Sequence, residues 1–192
     1  MIVRRLSVVA VALSLLLPGA ASAKDAGAID GYKTNDFFRF WPEGKNAPEG
    51  HRLKKKNTTP SKHMSTAEYE ADDGSSMANV RIVGWPMNKP EAVANDDEQV
   101  VERSIAGIRK NMADERWPDP EQFEIAAAGR KLACLRTPQN KKAEMVYCVT
   151  PMKGRVMEIQ YLASIEAHDK RERNDVMQGF VRSLTEHMEA AK

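Results

Sequence analysis

The chain has 192 residues, 42% of them hydrophobic and 29% charged, with 29 Lys and Arg against 27 Asp and Glu. That length suits one domain with a real core. The near balance of charge excludes the strong basic excess that non-specific attraction to nucleic acid or anionic lipid requires.

Residues 1–23, MIVRRLSVVAVALSLLLPGAASA, set Arg4 and Arg5 before an apolar run from Val8 to Leu17 and end on Ala21-Ser22-Ala23. This is the layout of a secretory signal peptide, with cleavage expected after Ala23. The run is shorter than the roughly 20 apolar residues that a membrane span takes, so no span is expected. Loss of Arg4 and Arg5 lowers the basic count from 29 to 27, equal to the 27 acidic residues, so the exported chain carries no net charge. The expected compartment is the periplasm.

Residues 24–36 read as a loose polar leader, and residues 37–192 as a single domain. In FFRFWPEG, the residues Phe37, Phe38, Phe40 and Trp41 come before Pro42 and Gly44 and are expected to tuck on the core. His51 to Asn57 reads as a short strand. Met64 to Ala71 and Met77 to Gly84 form a hairpin, turned at Asp72-Asp73-Gly74. Alternation sets Ala67, Tyr69 and Ala71 on one face, beside Ala78, Val80 and Ile82.

A helix is expected from Asn95, an N-cap with Glu98 three residues later. It carries Val101, Ile105, Ile108 and Met112 at helical spacing and stops before Pro118. Strands follow over Gln122 to Ala127, Arg130 to Thr137, Ala143 to Thr150 and Arg155 to Ser164. A last helix starts near Asp169, with Val176, Met177, Phe180, Val181, Leu184 and Met188 as its apolar stripe. Strands joined by short loops, with two amphipathic helices to cover them, predict an α+β fold: an antiparallel sheet with both helices packed on it.

The only cysteines are Cys134 and Cys148. A hairpin centred near Lys141, with Pro138 to Lys142 as its turn, sets them directly opposite each other on one face. In an exported chain that register predicts a disulfide. A zinc site would need two further ligands nearby, and a redox pair would read C-x-x-C.

FRFWPEG (Phe38 to Gly44) resembles the aromatic, extended, then proline opening of the PsbP-like superfamily. MEIQYLAS (Met157 to Ser164), followed by a terminal helix with FVRSL, is similar to that group's C-terminal half. The group spans lumenal photosystem subunits, a nuclear import factor family and bacterial exported proteins. The resemblance implies an αβ-sandwich acting as a binding or assembly module, and it carries over no catalytic residue.

Motifs for chemistry are sparse. His51, His63, His168 and His187 have no metal-ligand spacing and read as surface histidines. No G-x-S-x-G frames a serine and no Gly-rich phosphate loop occurs, so no cofactor is expected. The methionines do not cluster as copper ligands; Met112, Met177 and Met188 read as core filler.

Two features bear on partners. Every tryptophan precedes a proline, at Trp41-Pro42, Trp85-Pro86 and Trp117-Pro118. Each pair reads as the end of an element, with an aromatic rim as the alternative. The stretch HRLKKKNTTPSKH reads as a lysine-blunted edge strand, with an anionic partner as the alternative. Aromatic anchors and charges together point to Phe38, Trp41, Arg52, Lys55 and Trp85 as one contact face. The expected function is an exported, non-enzymatic module that recognises a protein partner, an immunity-type inhibitor of a secreted toxin being one concrete form. The alternatives are a small envelope enzyme acting on a cell-wall glycan or peptide, and an envelope assembly factor.

Overall fold

Seven strands pair into one sheet in the computed structural model, which describes residues 41–59, 64–84, 97–152 and 155–190. They are β1 (His51–Thr59), β2 (Met64–Ala71), β3 (Ser76–Gly84), β4 (Glu121–Ala127), β5 (Arg130–Asn140), β6 (Ala143–Met152) and β7 (Arg155–Ser164). Their spatial order is β1-β2-β3-β7-β6-β5-β4, and every neighbouring pair is antiparallel. The sheet is thus two meanders, β1 to β3 and β4 to β7, joined where β3 meets β7. Helix α1 (Asp97–Asp114) separates the meanders in sequence, and α2 (Lys170–Ala190) closes the described chain. The α+β expectation holds. The signal peptide, the leader and the Asn95 cap lie outside the described residues.

Alternation on β2 and β3 does what the sequence predicts. Ala67, Tyr69, Ala71, Ala78, Val80 and Ile82 are all buried on one face, here called the first face. Strand β6 differs: Met145 to Thr150 are buried without a break. It lies inside the sheet with a helix layer on each side, so both of its faces are covered.

The two helices take opposite faces. Met177, Phe180, Val181, Leu184 and Met188 of α2 pack on the first face with Tyr69, Ile125, Leu132, Ile159 and Tyr161. Val100, Ile105, Ile108 and Met112 of α1 pack on the second face with Leu135, Met145, Tyr147, Val149 and Val156. The stripe of α1 is rotated slightly from the expected one, since Val100 is buried and Val101 only partly so. Met112, Met177 and Met188 are core, as predicted.

Helix α1 ends in a Schellman turn. The Arg116 N–H donates to Ala113 O at 3.0 Å and the Trp117 N–H to Met112 O at 2.9 Å. Arg116 takes the left-handed conformation, φ +59°, that this cap demands. Trp117 then packs against the apolar cluster that includes Met112, in keeping with the apolar contact that accompanies such caps.

Cys134 and Cys148 are directly opposed across β5 and β6 and are joined by a disulfide, with Cα atoms 4.1 Å apart. The strands run further than expected, through Asn140, so the turn narrows to Lys141-Lys142 with a register shift between Pro138 and Asn140. Both cysteines are buried on the first face under α2.

Candidate functional site

Strand β1 is an edge strand, and an irregularity decides which way its basic residues face. His51 and Leu53 pair with Ala71 and Tyr69, and so belong to the first face. The register then shifts between Leu53 and Lys55, with Lys54 as the extra residue. Such a bulge reverses the alternation downstream. Lys55 therefore pairs with Glu68 on the second face, where straight alternation would have turned it inward beside Ala67.

The second face of β1, β2 and β3 is half-exposed to exposed and mostly polar, with Arg52, Lys55, Thr66, Glu68, Glu70, Asn79 and Arg81 beside the half-exposed Met64, Met77 and Val83. The packing of α1 on this side is against β5 and β6. Charges alternate across the strands. Arg52 and Lys54 reach Glu70 at 2.8 and 2.9 Å, and Arg81 Nε donates to Glu158 at 2.9 Å. Hydrogen bonds from Lys54 and Arg52 hold the Glu70 carboxyl below its usual range. Lys56 points to the other side, where it meets Glu43 at 3.1 Å. The lysine-blunted edge is what the basic stretch builds.

The predicted contact face is not assembled as expected. Trp41 is 4% exposed and sits in the first-face core, its indole N–H donated to Ser65 Oγ at 2.9 Å. Tyr69 holds the same segment through Pro42 O at 3.1 Å. An aromatic this enclosed offers no surface to a partner. Arg52 and Lys55 are exposed, but on the opposite face of the sheet. Phe38 and Trp85 lie outside the described residues. The tryptophans that are described do not form a rim either, because Trp41 packs on one face of the sheet and Trp117 on the other.

A polar cluster that the sequence did not reveal lies at the other end of β1. His51, expected on the surface, is 4% exposed. Its Nδ1 lies 2.7 Å from Glu49 O, while its Nε2 lies 3.2 Å from Ser76 Oγ and 3.1 Å from Tyr161 OH. Ser76 and Tyr161 are themselves 2.6 Å apart. Tyr69 and Phe180 enclose the site, with Phe180 4.6 Å from the His51 ring. Burial raises the Tyr161 hydroxyl to about 12, so it stays a neutral donor. Nearby, His168 lies between Asp73 and Glu172, each 3.0 Å from a different ring nitrogen. Because the carboxylates sit on opposite nitrogens, they cannot share a metal ion with the ring. Strand alternation does place His51 in phase with Leu53, which was the available signal, but the basic residues after it masked that phase.

No family model matches this chain, and no curated protein matches it. Among the described residues, no helix is long and apolar enough to cross a membrane. The buried disulfide belongs to an oxidising, extracytoplasmic compartment.

Proposed function

We propose that this chain is an exported, non-enzymatic binding module of the periplasm that recognises a protein partner, with an immunity-type inhibitor of a secreted toxin as one concrete form. The reading takes residues 1–23 as a cleaved signal peptide. It also takes the PsbP-like resemblance of FRFWPEG and MEIQYLAS as a kinship of binding and assembly domains. The observation that carries it is the half-exposed to exposed second face of β1 to β3, where Arg52 and Lys55 stand exposed beside a row of alternating charges. A mostly polar sheet face with charges fixed by their neighbours favours recognition of a charged protein surface, since complementary potentials guide association and fix register.

The test is capture from periplasmic extract with the wild type, Lys55→Glu and Lys141→Glu, the last an exposed control on the distant β5–β6 turn. One stoichiometric protein partner should be held by the wild type and the control and weakened by Lys55→Glu, with a salt-dependent association rate. Equal capture by all three would move the surface elsewhere. No partner, together with turnover of a cell-wall fragment, would replace this reading with the enzyme.

A further inference from the structure

The connection between β2 and β3, residues 72–75, together with Ser76 at the start of β3, meets an imidazole on each side. On one side is His168, in the loop before α2, with Asp73 Oδ2 3.0 Å from its Nε2 and Glu172 Oε2 3.0 Å from its Nδ1. A neutral imidazole carries one N–H and can serve only one of these carboxylates, leaving its other nitrogen lone pair against the second. The imidazolium serves both. Burial opposes the charge on His168, but the contacts to Asp73 and Glu172 outweigh it and hold the pKa above the ordinary 6.5. The remaining charges around the ring are Asp169, Arg173 and Glu166. Asp169 Oδ1 accepts the Glu172 N–H at 2.9 Å, and Arg173 donates to His168 O at 2.6 Å. Glu166 is exposed in the same loop.

On the other side is His51. Its Nδ1 donates to Glu49 O, so its Nε2 is left to accept from Ser76 or Tyr161. The groups facing it are the Glu49 side chain, which lies near Gly179 of α2, and the turn carboxylates Asp72 and Asp73. None of these carboxylates hydrogen-bonds the ring. Burial, the largest influence, lowers the His51 pKa below 6.5 against the opposing pull of the Glu49 carbonyl, Asp72 and Asp73.

We infer that the β2–β3 connection is a proton-operated clamp, holding the start of α2 while His168 is charged and the start of β1 while His51 is neutral. The two arms have opposite signs. The His168 contribution is complete below its unfolded value of 6.5 and is lost as pH rises through its higher folded value. The His51 contribution is complete above 6.5 and is lost as pH falls through its lower folded value. The clamp is tightest near the crossing point. Alkali frees the start of α2, and acid frees the start of β1.

The experiment follows the ring nitrogens by NMR in the full chain between about pH 4 and 9. It also measures hydrogen-exchange protection factors at two reporter amides, Arg173 (bonded to Asp169 O) and Asp72 (bonded to Gly50 O). At pH 6, His168 should show two protonated nitrogens and His51 a single one, on Nδ1. Protection at Arg173 should fall about two- to fivefold on the alkaline side, the range for a surface ion pair. Protection at Asp72 should fall on the acid side. The double variant Asp73→Asn, Glu172→Gln should lose the alkaline step and keep the acid one. A singly protonated His168 at pH 6 overturns the clamp. So does an alkaline step that survives in the double variant. Should that variant not fold, the wild-type ring spectra decide.

Discussion

Trp41 and Ser65 are joined on the α2 side of the sheet, the indole N–H donating to the hydroxyl at 2.9 Å. The bond ties the segment before β1 to the middle of the first meander. Ser65 keeps a second attachment, donating to Asn57 O at 3.2 Å. Trp41→Ala should therefore destabilise the domain by about 3–5 kcal/mol, through lost burial and the cavity left behind. Trp41→Phe should cost less, because most of the apolar contact survives. Urea unfolding monitored by circular dichroism measures both, and a midpoint unchanged in Trp41→Ala would show that the tryptophan is not core.

The disulfide gives the second expectation. It crosses neighbouring strands inside the core, so its loss removes a restraint on the unfolded chain and leaves the sheet register to the hydrogen bonds. Cys148→Ala should lower stability by about 2–5 kcal/mol while the far-ultraviolet circular dichroism stays native. Thiol alkylation of the native, unreduced protein should label neither cysteine; labelling of both would contradict the bridge.

The β4–β5 hairpin turns on two residues, Ala128 and Gly129, at φ +51° and +71°. Positive φ at both central positions is a type I′ turn, for which Asn-Gly is preferred. Ala128 bears the cost of a left-handed conformation without a side chain that compensates it. Ala128→Asn should raise stability by about 0.5–1 kcal/mol. An unchanged or lower denaturant midpoint would count against the turn geometry.

Helix α1 offers a complementary test. Gly107 lies in its interior, and a Cβ built there meets nothing within 4 Å. Gly107→Ala should stabilise the domain by about 0.5–1 kcal/mol, because it restricts the unfolded chain and adds no clash. Thermal unfolding of the variant checks this, and a lowered Tm would reveal a neighbour over that position.

Much of this architecture can be read from the residues, for reasons that differ between elements. The β2–β3 hairpin shows clean period-2 alternation and a turn that Asp72, Asp73 and Gly74 make well, so local chemistry and tertiary packing agree. The cysteine pairing follows from counting outward from one turn. The stripe on α2 is legible because a single face is buried. The opposite sides taken by α1 and α2 are not legible, since periodicity gives a helix's apolar face but not the side of the sheet it meets. Lys54 hides the bulge: four basic residues among five positions carry no alternation to break. His51 was misplaced for the same reason, and its partners Ser76 and Tyr161 are distant in sequence. From sequence Trp41 suits both core and contact, and its burial in the first-face core decides between them.

The seam between β3 and β7 has a consequence for how the chain is made. Ser76 pairs with Ala163 and Gly84 with Arg155, so the middle of the sheet joins its third strand to its seventh. In a chain synthesised from its N-terminus, the row Ala78, Val80 and Ile82 emerges long before Met157, Ile159 and Tyr161 arrive beside it. Contacts of such long sequence separation form late and slow the whole transition. Until then the first meander presents an unpaired inner edge with an apolar flank, the feature that recruits strands from other chains. A nascent chain stalled before β7 is thus a different hazard from a destabilised finished one: it is an open template, and whatever escorts the newborn polypeptide must shield β3 until its last strand is delivered.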